Sequence, residues 1–125
     1  MLHHVSLGTN DLEGARRFYD PVMAELGLRL LKHSDRILAY GLTEVVFSLE
    51  RPADGAPATA GNGTHVAFHA GHRRTVHACY DAGLANGGSD GGAPGLRTQY
   101  DPHYYAAFLR DPDDNKIEIV TFAGE

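Results

Sequence analysis

The chain has 125 residues, of which 42% are hydrophobic, and a formal net charge of -5. This length suits one compact domain with a sheet-based core. The acidic balance, with no cationic run longer than Arg16-Arg17 or Arg73-Arg74, offers no electropositive field for a nucleic acid. Cys79 is the single cysteine, and no apolar run or N-terminal leader pattern predicts membrane insertion or export. We therefore expect a cytoplasmic protein.

The first half of the chain predicts one helix among four strands. "LHHVSL" is β-rich, and "TNDLEGARRFYDPVMAELG" follows with a helical stripe, Asn10 and Glu13 in capping-box spacing, and Gly27 as the stop. Pro21 lies inside that stripe and predicts a kink or a break. "LRLLKH", "RILAYGL" and "EVVFSLE" are strand candidates separated by turn residues.

The second half repeats this order. "THVAFHA" predicts a strand, "GHRRTVHACYDAGLANGG" a helix, and "YYAAFLR" and "KIEIV" two further strands, with an indistinct strand between Gly92 and Thr98. The order β-α-β-β-β therefore occurs twice. We expect one α+β domain over residues 1–125, with a first βαβββ module at 1–51, a Pro/Gly/Ala linker at 52–62 and a second module at 63–125.

The strand faces suggest a metal site. His4 in the first strand, His65 in the fifth and Glu118 in "KIEIV" each lie opposite their strand's apolar residues. If the apolar faces pack on the helices, these three side chains project from the other, concave face. Two imidazoles and a carboxylate there would form a divalent-metal site with positions left open for substrate.

Three runs of the sequence resemble the vicinal-oxygen-chelate superfamily, which includes glyoxalase I, fosfomycin-resistance thiol transferases, bleomycin-resistance proteins and extradiol dioxygenases. They are "HVSLGTNDLEGARRFYDPVMAELGLRLL", "GTHVAFHA" and "AAFLRDPDDNKIEIV". The resemblance implies paired βαβββ modules whose mixed, mostly antiparallel sheets form an open cup around a divalent ion (Fe, Mn, Zn, Ni or Co). It also implies His4, His65 and Glu118 as ligands and a homodimer in which a site closes within one chain or across two.

One position departs from the pattern of glyoxalase I. Its relatives usually place a fourth ligand, a Glu, where this chain has Ser48. A hydroxyl is a poor substitute for a carboxylate ligand. Glu44 and Glu50 lie on the same strand face as Ser48 and are candidates to replace the missing carboxylate, although both lie at the ends of the strand. A thiol transferase would need cations for a phosphonate, for which Arg97, Arg110 and Lys116 are candidates.

A dioxygenase would need a further acid-base residue, and His69 and His103 are the candidates. The loop "APGLRTQYDPHYY" combines rings and donors suited to the wall of a small-molecule site. We therefore expect a substrate-binding set of Ser48, His69, Arg97, His103, Tyr104 and Tyr105. The leading expectation is a divalent-metal enzyme acting on a small oxygen-rich substrate, with lyase, thiol-transferase and ring-cleaving chemistry all open. The alternative is a metal-free protein that sequesters a drug or metabolite.

Overall fold

The computed structural model describes residues 1–125 and contains two βαβββ modules. The first comprises β1 (Val5–Gly8), α1 (Leu12–Glu25), β2 (Arg29–His33), β3 (Ile37–Gly41) and β4 (Val45–Glu50). The second comprises β5 (His65–His69), α2 (Arg73–Ala85), β6 (Ser89–Leu96), β7 (Tyr105–Arg110) and β8 (Lys116–Thr121). Residues 51–64 join them without helix or strand. Neither helix combines the length and apolar character that crossing a lipid bilayer requires.

Each module forms its own four-stranded mixed sheet. The strand orders are β1-β4-β3-β2 and β5-β8-β7-β6, with β1 parallel to β4, β5 parallel to β8, and the remaining pairs antiparallel. This confirms the predicted α+β fold of paired βαβββ modules. The registers are also equivalent, since Ser6 pairs with Ser48 and Ala67 pairs with Glu118. Ser6 is therefore equivalent to Ala67, and Ser48 to Glu118. His4 and His65 lie two residues before Ser6 and Ala67, so they are equivalent to each other as well.

Both helices lie between the two sheets, and they pack against each other. Alternate strand residues turn inward onto the helices because successive side chains of a strand point to opposite faces. The inward-facing residues of the two sheets join those of the helices in one core, which includes Phe18, Tyr19, Val22, Leu38, Tyr40, Phe47, Leu49, Val76, Cys79, Ala107, Leu109, Ile117 and Ile119. The outward-facing residues of each sheet therefore form two separate outer faces.

The start of α1 differs from the sequence expectation. Asp11, one residue after Asn10, is the N-cap, and its carboxylate accepts a hydrogen bond from the Gly14 backbone N–H at 3.1 Å. Asn10 instead exchanges two hydrogen bonds with the Ala58 backbone, which ties the segment between the modules to the turn between β1 and α1. Pro21 lies inside α1, which runs unbroken from Leu12 to Glu25.

The indistinct strand of the second half is β6, over Ser89–Leu96. It is an edge strand, and its pairing with β7 shifts register between Asp90 and Gly92 and again between Gly92 and Gly95. Glycine and proline are poor strand formers, but edge positions and bulges tolerate both. The glycines and the proline of this segment therefore gave no clear strand pattern, although its pairing with β7 stabilises a strand.

The turn between β7 and β8 binds α1 and the residues that precede it in the other module. Asp111 is 4% exposed and accepts hydrogen bonds from the Tyr19 hydroxyl at 2.6 Å, the Asn115 side chain and the backbone N–H groups of Asp113 and Asn115. Asp113 accepts from the Thr9 hydroxyl, and the Asn115 amide donates to Gly8 O at 3.0 Å. We refer to this network as the inter-module clamp.

Removing the Tyr19 hydroxyl should weaken the inter-module clamp in a pH-dependent way. We expect Tyr19→Phe to lower the free energy of unfolding by about 1 to 3 kcal/mol at neutral pH, because it leaves a buried carboxylate short of a donor. Burial raises the pKa of Asp111 above 3.8, and the bond from Tyr19 opposes that rise. The variant should therefore raise the pKa further.

The sign of the pH effect follows from this shift. A carboxyl with a raised folded-state pKa gains relative stability as pH falls toward its unfolded value. The cost of Tyr19→Phe should therefore shrink between neutral pH and about pH 4, as measured by urea unfolding at several pH values. Tyr40→Phe is the control, since the Tyr40 hydroxyl donates to the more exposed Asp20. An equal, pH-independent loss in both variants would contradict the expectation.

Candidate functional site

The outer face of the second module brings three polar side chains together. Glu118, in the middle of β8, is 2% exposed. Its Oε1 lies 3.2 Å from His65 Nε2, and its Oε2 accepts a hydrogen bond from the Tyr104 hydroxyl at 2.5 Å. β5 and β8 are neighbouring strands, so the register places His65 and Glu118 on one face, while the loop before β7 supplies Tyr104.

The electrostatics of this group favour a cation. Glu118 is a buried carboxylate that forms no ion pair with a lysine or arginine. Burial and the hydrogen bond to Glu118 raise the pKa of Tyr104 to about 12, so Tyr104 remains a donor at neutral pH. A buried carboxylate without a direct ion pair to a permanent cation is costly, and a bound cation would offset that cost.

The donor spacing also fits a metal ion. Ligand atoms at about 2.1 Å from one ion, at angles between 90° and 109°, lie roughly 3.0 to 3.4 Å apart. The separation of 3.2 Å between His65 Nε2 and Glu118 Oε1 falls in this interval. Tyr104 holds the second carboxylate oxygen, as an outer partner of a metal ligand does. His65 and Glu118 could therefore bind one ion between them.

These residues border a cleft of about 310 Å³. Its lining is His65, Tyr100, Tyr104, Phe108, Lys116 and Glu118. Larger depressions of about 490 and 510 Å³ lie beside residues 60–64 and along α1, and neither contains His65 or Glu118. The smaller cleft is the better candidate site because it alone combines rings with convergent polar groups.

The outer face of the first module carries a different group of residues. Ser48 is 1% exposed, and its hydroxyl lies 2.7 Å from that of Ser6. Glu50 Oε2 lies 2.8 Å from Ser6 Oγ and 3.2 Å from Ser48 Oγ. The two serine hydroxyls have two hydrogens to donate, so only two of these three contacts can be hydrogen bonds at once. The two shorter distances favour donation from Ser48 to Ser6 and from Ser6 to Glu50. The Glu50 carboxylate therefore reaches the position where an acidic residue at 48 would lie.

His4 remains apart from the His65–Glu118 pair within one chain. It is exposed, precedes β1, and its Nδ1 lies 2.9 Å from that of His3. No three His, Cys, Asp or Glu side chains of the chain converge on a common point. The reason is the packing of the modules through their helices, which leaves the two outer faces separate.

The structure divides the residues expected to bind substrate. Arg97 and Tyr104 lie at the outer face of the second module, where the Arg97 guanidinium stacks over the Phe108 ring at 5.5 Å. His69 and His103 are exposed, and neither imidazole forms a hydrogen bond.

Tyr105 lies on the opposite face from Tyr104. Its hydroxyl lies 2.6 Å from His77 Nε2 on α2, and the Arg73 guanidinium covers its ring at 4.5 Å. Adjacent strand residues point to opposite faces, and Phe108 pairs with Glu118. Even-numbered residues of β7, and Tyr104 just before it, therefore lie on the same face as Glu118. Tyr104 and Phe108 belong to this face, and Tyr105 does not. The sequence did not indicate Phe108, because only its pairing with Glu118 shows which face of the strand it occupies.

Comparison with known proteins identifies relatives along nearly the whole chain. A sequence model of the Glyoxalase/Bleomycin resistance protein/Dioxygenase superfamily matches residues 1–119. The crystal structure of a glyoxalase/bleomycin resistance protein from Albidiferax ferrireducens T118 is 37% identical, with a TM-score of 0.84 over 94% of this chain and 95% of that one. None of the curated proteins matches.

Two more distant structures share the fold. One is a glyoxalase-related enzyme from Fulvimarina pelagi, at 21% identity and a TM-score of 0.75 over 97% of this chain and 87% of that one. The other is lactoylglutathione lyase from Agrobacterium tumefaciens, at 21% identity and a TM-score of 0.66 over 97% and 92%. At this identity the likeness extends to architecture alone.

Proposed function

The chain belongs to the glyoxalase/bleomycin resistance protein/dioxygenase superfamily, and from this premise we propose that it is a divalent-metal enzyme acting on a small oxygen-rich substrate. The observation that carries the proposal is the His65–Glu118 pair, whose donor atoms lie 3.2 Å apart beside a cleft. Glu118 is buried and Tyr104 holds it in place. A buried carboxylate with a neighbouring imidazole and an ordered outer partner suits a metal ligand.

The third ligand is His4 of a second copy of the chain. His4 is the counterpart of His65 in the first module, and it is exposed. An exposed edge strand such as β1 is available for association with another copy. In a symmetric homodimer, the first-module face of one chain would meet the second-module face of the other and form two equivalent sites.

When bound, a divalent ion would act as a Lewis acid on neighbouring substrate oxygens. The residues of the chain have separate tasks around it. Tyr104 orients Glu118 through its hydroxyl, and the first-module face supplies Glu50 with Ser6 and Ser48 beside it. Glu50 can accept a substrate proton, while the serine hydroxyls support the carboxylate. A carboxylate that handles protons next to a Lewis acid suits lyase chemistry of the glyoxalase type.

A second candidate is a metal-free binding protein that sequesters a drug or metabolite. The observation that favours it is the aromatic lining of the cleft, together with a Glu118 whose two oxygens already contact His65 and Tyr104. In that case the protein would bind its ligand through rings and hydrogen bonds alone. Metal titration distinguishes the two candidates.

Replacing the Glu118 carboxylate tests the metal site. We expect the parent protein to bind Mn, Fe, Co, Ni or Zn, as followed by calorimetry, and Glu118→Gln to weaken that binding by at least about tenfold. The amide keeps the volume but loses the anionic donor. Stability of the metal-free variant should equal or exceed that of the parent, because a buried charge is removed.

Asp114→Asn is the matched control for this change. It alters the net charge equally, lies outside the cleft, and its backbone φ of 69° is one that Asn tolerates well. It should leave metal affinity unchanged. Equal affinity in Glu118→Gln, Asp114→Asn and the parent would exclude Glu118 as a ligand, and no binding of any of the five metals would favour the sequestering protein.

The shared site predicts complementation between chains. A heterodimer of a His4→Ala chain and a Glu118→Ala chain would have one site with both changes and one site intact, if each site uses His4 from one chain and Glu118 from the other. Two affinity tags on co-expressed chains isolate this heterodimer, and calorimetry should show one ion of parental affinity per dimer. Each mutant homodimer should show none. A heterodimer without an intact site would place all ligands within one chain.

A further inference from the structure

The cleft beside Glu118 has an aromatic wall. The Tyr104 ring lies 5.1 Å from that of Tyr100 and 5.4 Å from that of Phe122, measured between centroids. Tyr100 is 64% exposed and Phe122 51% exposed, so their ring faces are largely uncovered. The loop before β7 is closed by backbone hydrogen bonds, from Arg97 N to Tyr104 O at 2.7 Å and from Tyr100 N to Arg97 O at 3.0 Å. Its side chains are thus presented in a defined arrangement.

Two cations lie at the same face. Lys116 Nζ is 5.1 Å from the centroid of the Phe108 ring, and the Arg97 guanidinium carbon is 5.5 Å from it. Neither forms an ion pair with a carboxylate, and the Arg97 side chain donates only to Ala93 O. The chain has 16 acidic residues against 11 Lys and Arg. Lys116 belongs to the lining of the cleft, and a half-buried cation without an acidic partner in such a chain suits an anionic ligand.

The glycines of β6 keep this arrangement open. A Cβ at Gly92 would lie 3.1 Å from Phe108 Cδ2 and 3.3 Å from Arg97 Nη2. A Cβ at Gly95 would lie 3.2 Å from Arg97 Nη1. Side chains at these positions would displace the guanidinium or crowd the Phe108 ring. The glycines that made β6 difficult to predict therefore leave the space in which the Arg97 guanidinium packs over the Phe108 ring.

We propose that the ligand of this cleft is an aromatic carboxylate, whose ring packs against Tyr100 and Tyr104 and whose anionic group is bound by Lys116, with Arg97 adding positive charge beside the Phe108 ring. The inference rests on the proposed function, since it names the substrate class of the same site. The cleft of about 310 Å³ has room for a single ring with its substituents. An oxygen substituent on that ring would be directed toward His65 and Glu118.

The wall distinguishes this ligand from a smaller anion. A phosphate or an aliphatic acid would satisfy Lys116 but would leave the exposed Tyr100 ring uncovered. A neutral aromatic compound would cover Tyr100 but leave Lys116 without a partner. Only a ligand with both features uses both sets of residues.

Binding of simple probes to the chelator-treated parent protein tests the proposal without a metal. Benzoate carries the ring and the charge, benzamide the ring alone, and cyclohexanecarboxylate the charge without aromaticity. We expect saturable benzoate binding in NMR titrations, with benzamide about fivefold weaker, as for loss of a partly exposed ion pair. Cyclohexanecarboxylate should also bind more weakly than benzoate.

Lys116→Met and Lys32→Met provide matched variants, because these are the two lysines of the chain and Lys32 lies exposed on β2. Lys116→Met should weaken benzoate about fivefold and leave benzamide unchanged, which also reports an intact fold. Lys32→Met should bind both probes as the parent does. The proposal would be overturned if benzoate did not bind saturably, or if it bound no more tightly than benzamide or cyclohexanecarboxylate. It would also be overturned if Lys116→Met and Lys32→Met weakened benzoate binding equally.

The test of the aromatic carboxylate and the test of the metal enzyme can fail independently of each other. Because the probes are measured in the presence of a chelator, a failed metal titration leaves the benzoate result standing and overturns only the metal enzyme. Conversely, metal binding without discrimination between benzoate and benzamide overturns the aromatic carboxylate and leaves the metal site in place.

Discussion

The inter-module clamp is the constraint on which the arrangement of the two modules depends. Asp111 is buried, and its carboxylate has four donors, one of which belongs to a residue of the other module, Tyr19. Asn115 and Asp113 extend the contact to the end of β1 and the residues before α1. Separating the modules would strand buried polar groups and a buried charge, which is far costlier than losing exposed contacts. The helices are thus held between the sheets.

This arrangement determines what each outer face can do alone. With the helices inside, the His65–Glu118 pair and the Ser6–Ser48–Glu50 group lie on different sheets. Each face supplies part of a site, and neither supplies three metal-ligating side chains. In the proposed dimer, the same internal packing that keeps His4 from His65 within a chain leaves it free to meet the partner. The division of the site is then a consequence of the core, and not of the residues at the site.

Local patterns predicted the features that depend on one strand or one pair of strands. The period-two alternation in "THVAFHA" and "KIEIV" placed His65 and Glu118 on one face, and the structure brings them to 3.2 Å. The position of His4 relative to this pair depends on how α1 packs against α2, which no strand pattern encodes.

Three other features were beyond local reasoning. The helix cap at Asp11 was displaced from Asn10 because Asn10 is engaged by Ala58, 48 residues away. β6 depends on its pairing with β7 and not on the strand propensity of its own glycines and proline. Tyr104 and Tyr105 are adjacent and identical in type, so only the register of β7 against β8 decides which of them contacts Glu118.

The two modules keep equivalent registers but carry different chemistry on their outer faces. Ser48 stands where the second module has Glu118, and Val46 stands where it has Lys116. The first module therefore lacks the cation, and its carboxylate comes from Glu50, one strand repeat farther along. A site made from one face of each kind has its permanent positive charges on one side and its hydroxyl-supported carboxylate on the other. In the proposed dimer, reversing an anionic substrate would bring its charge against Glu50, so this asymmetry would favour one orientation.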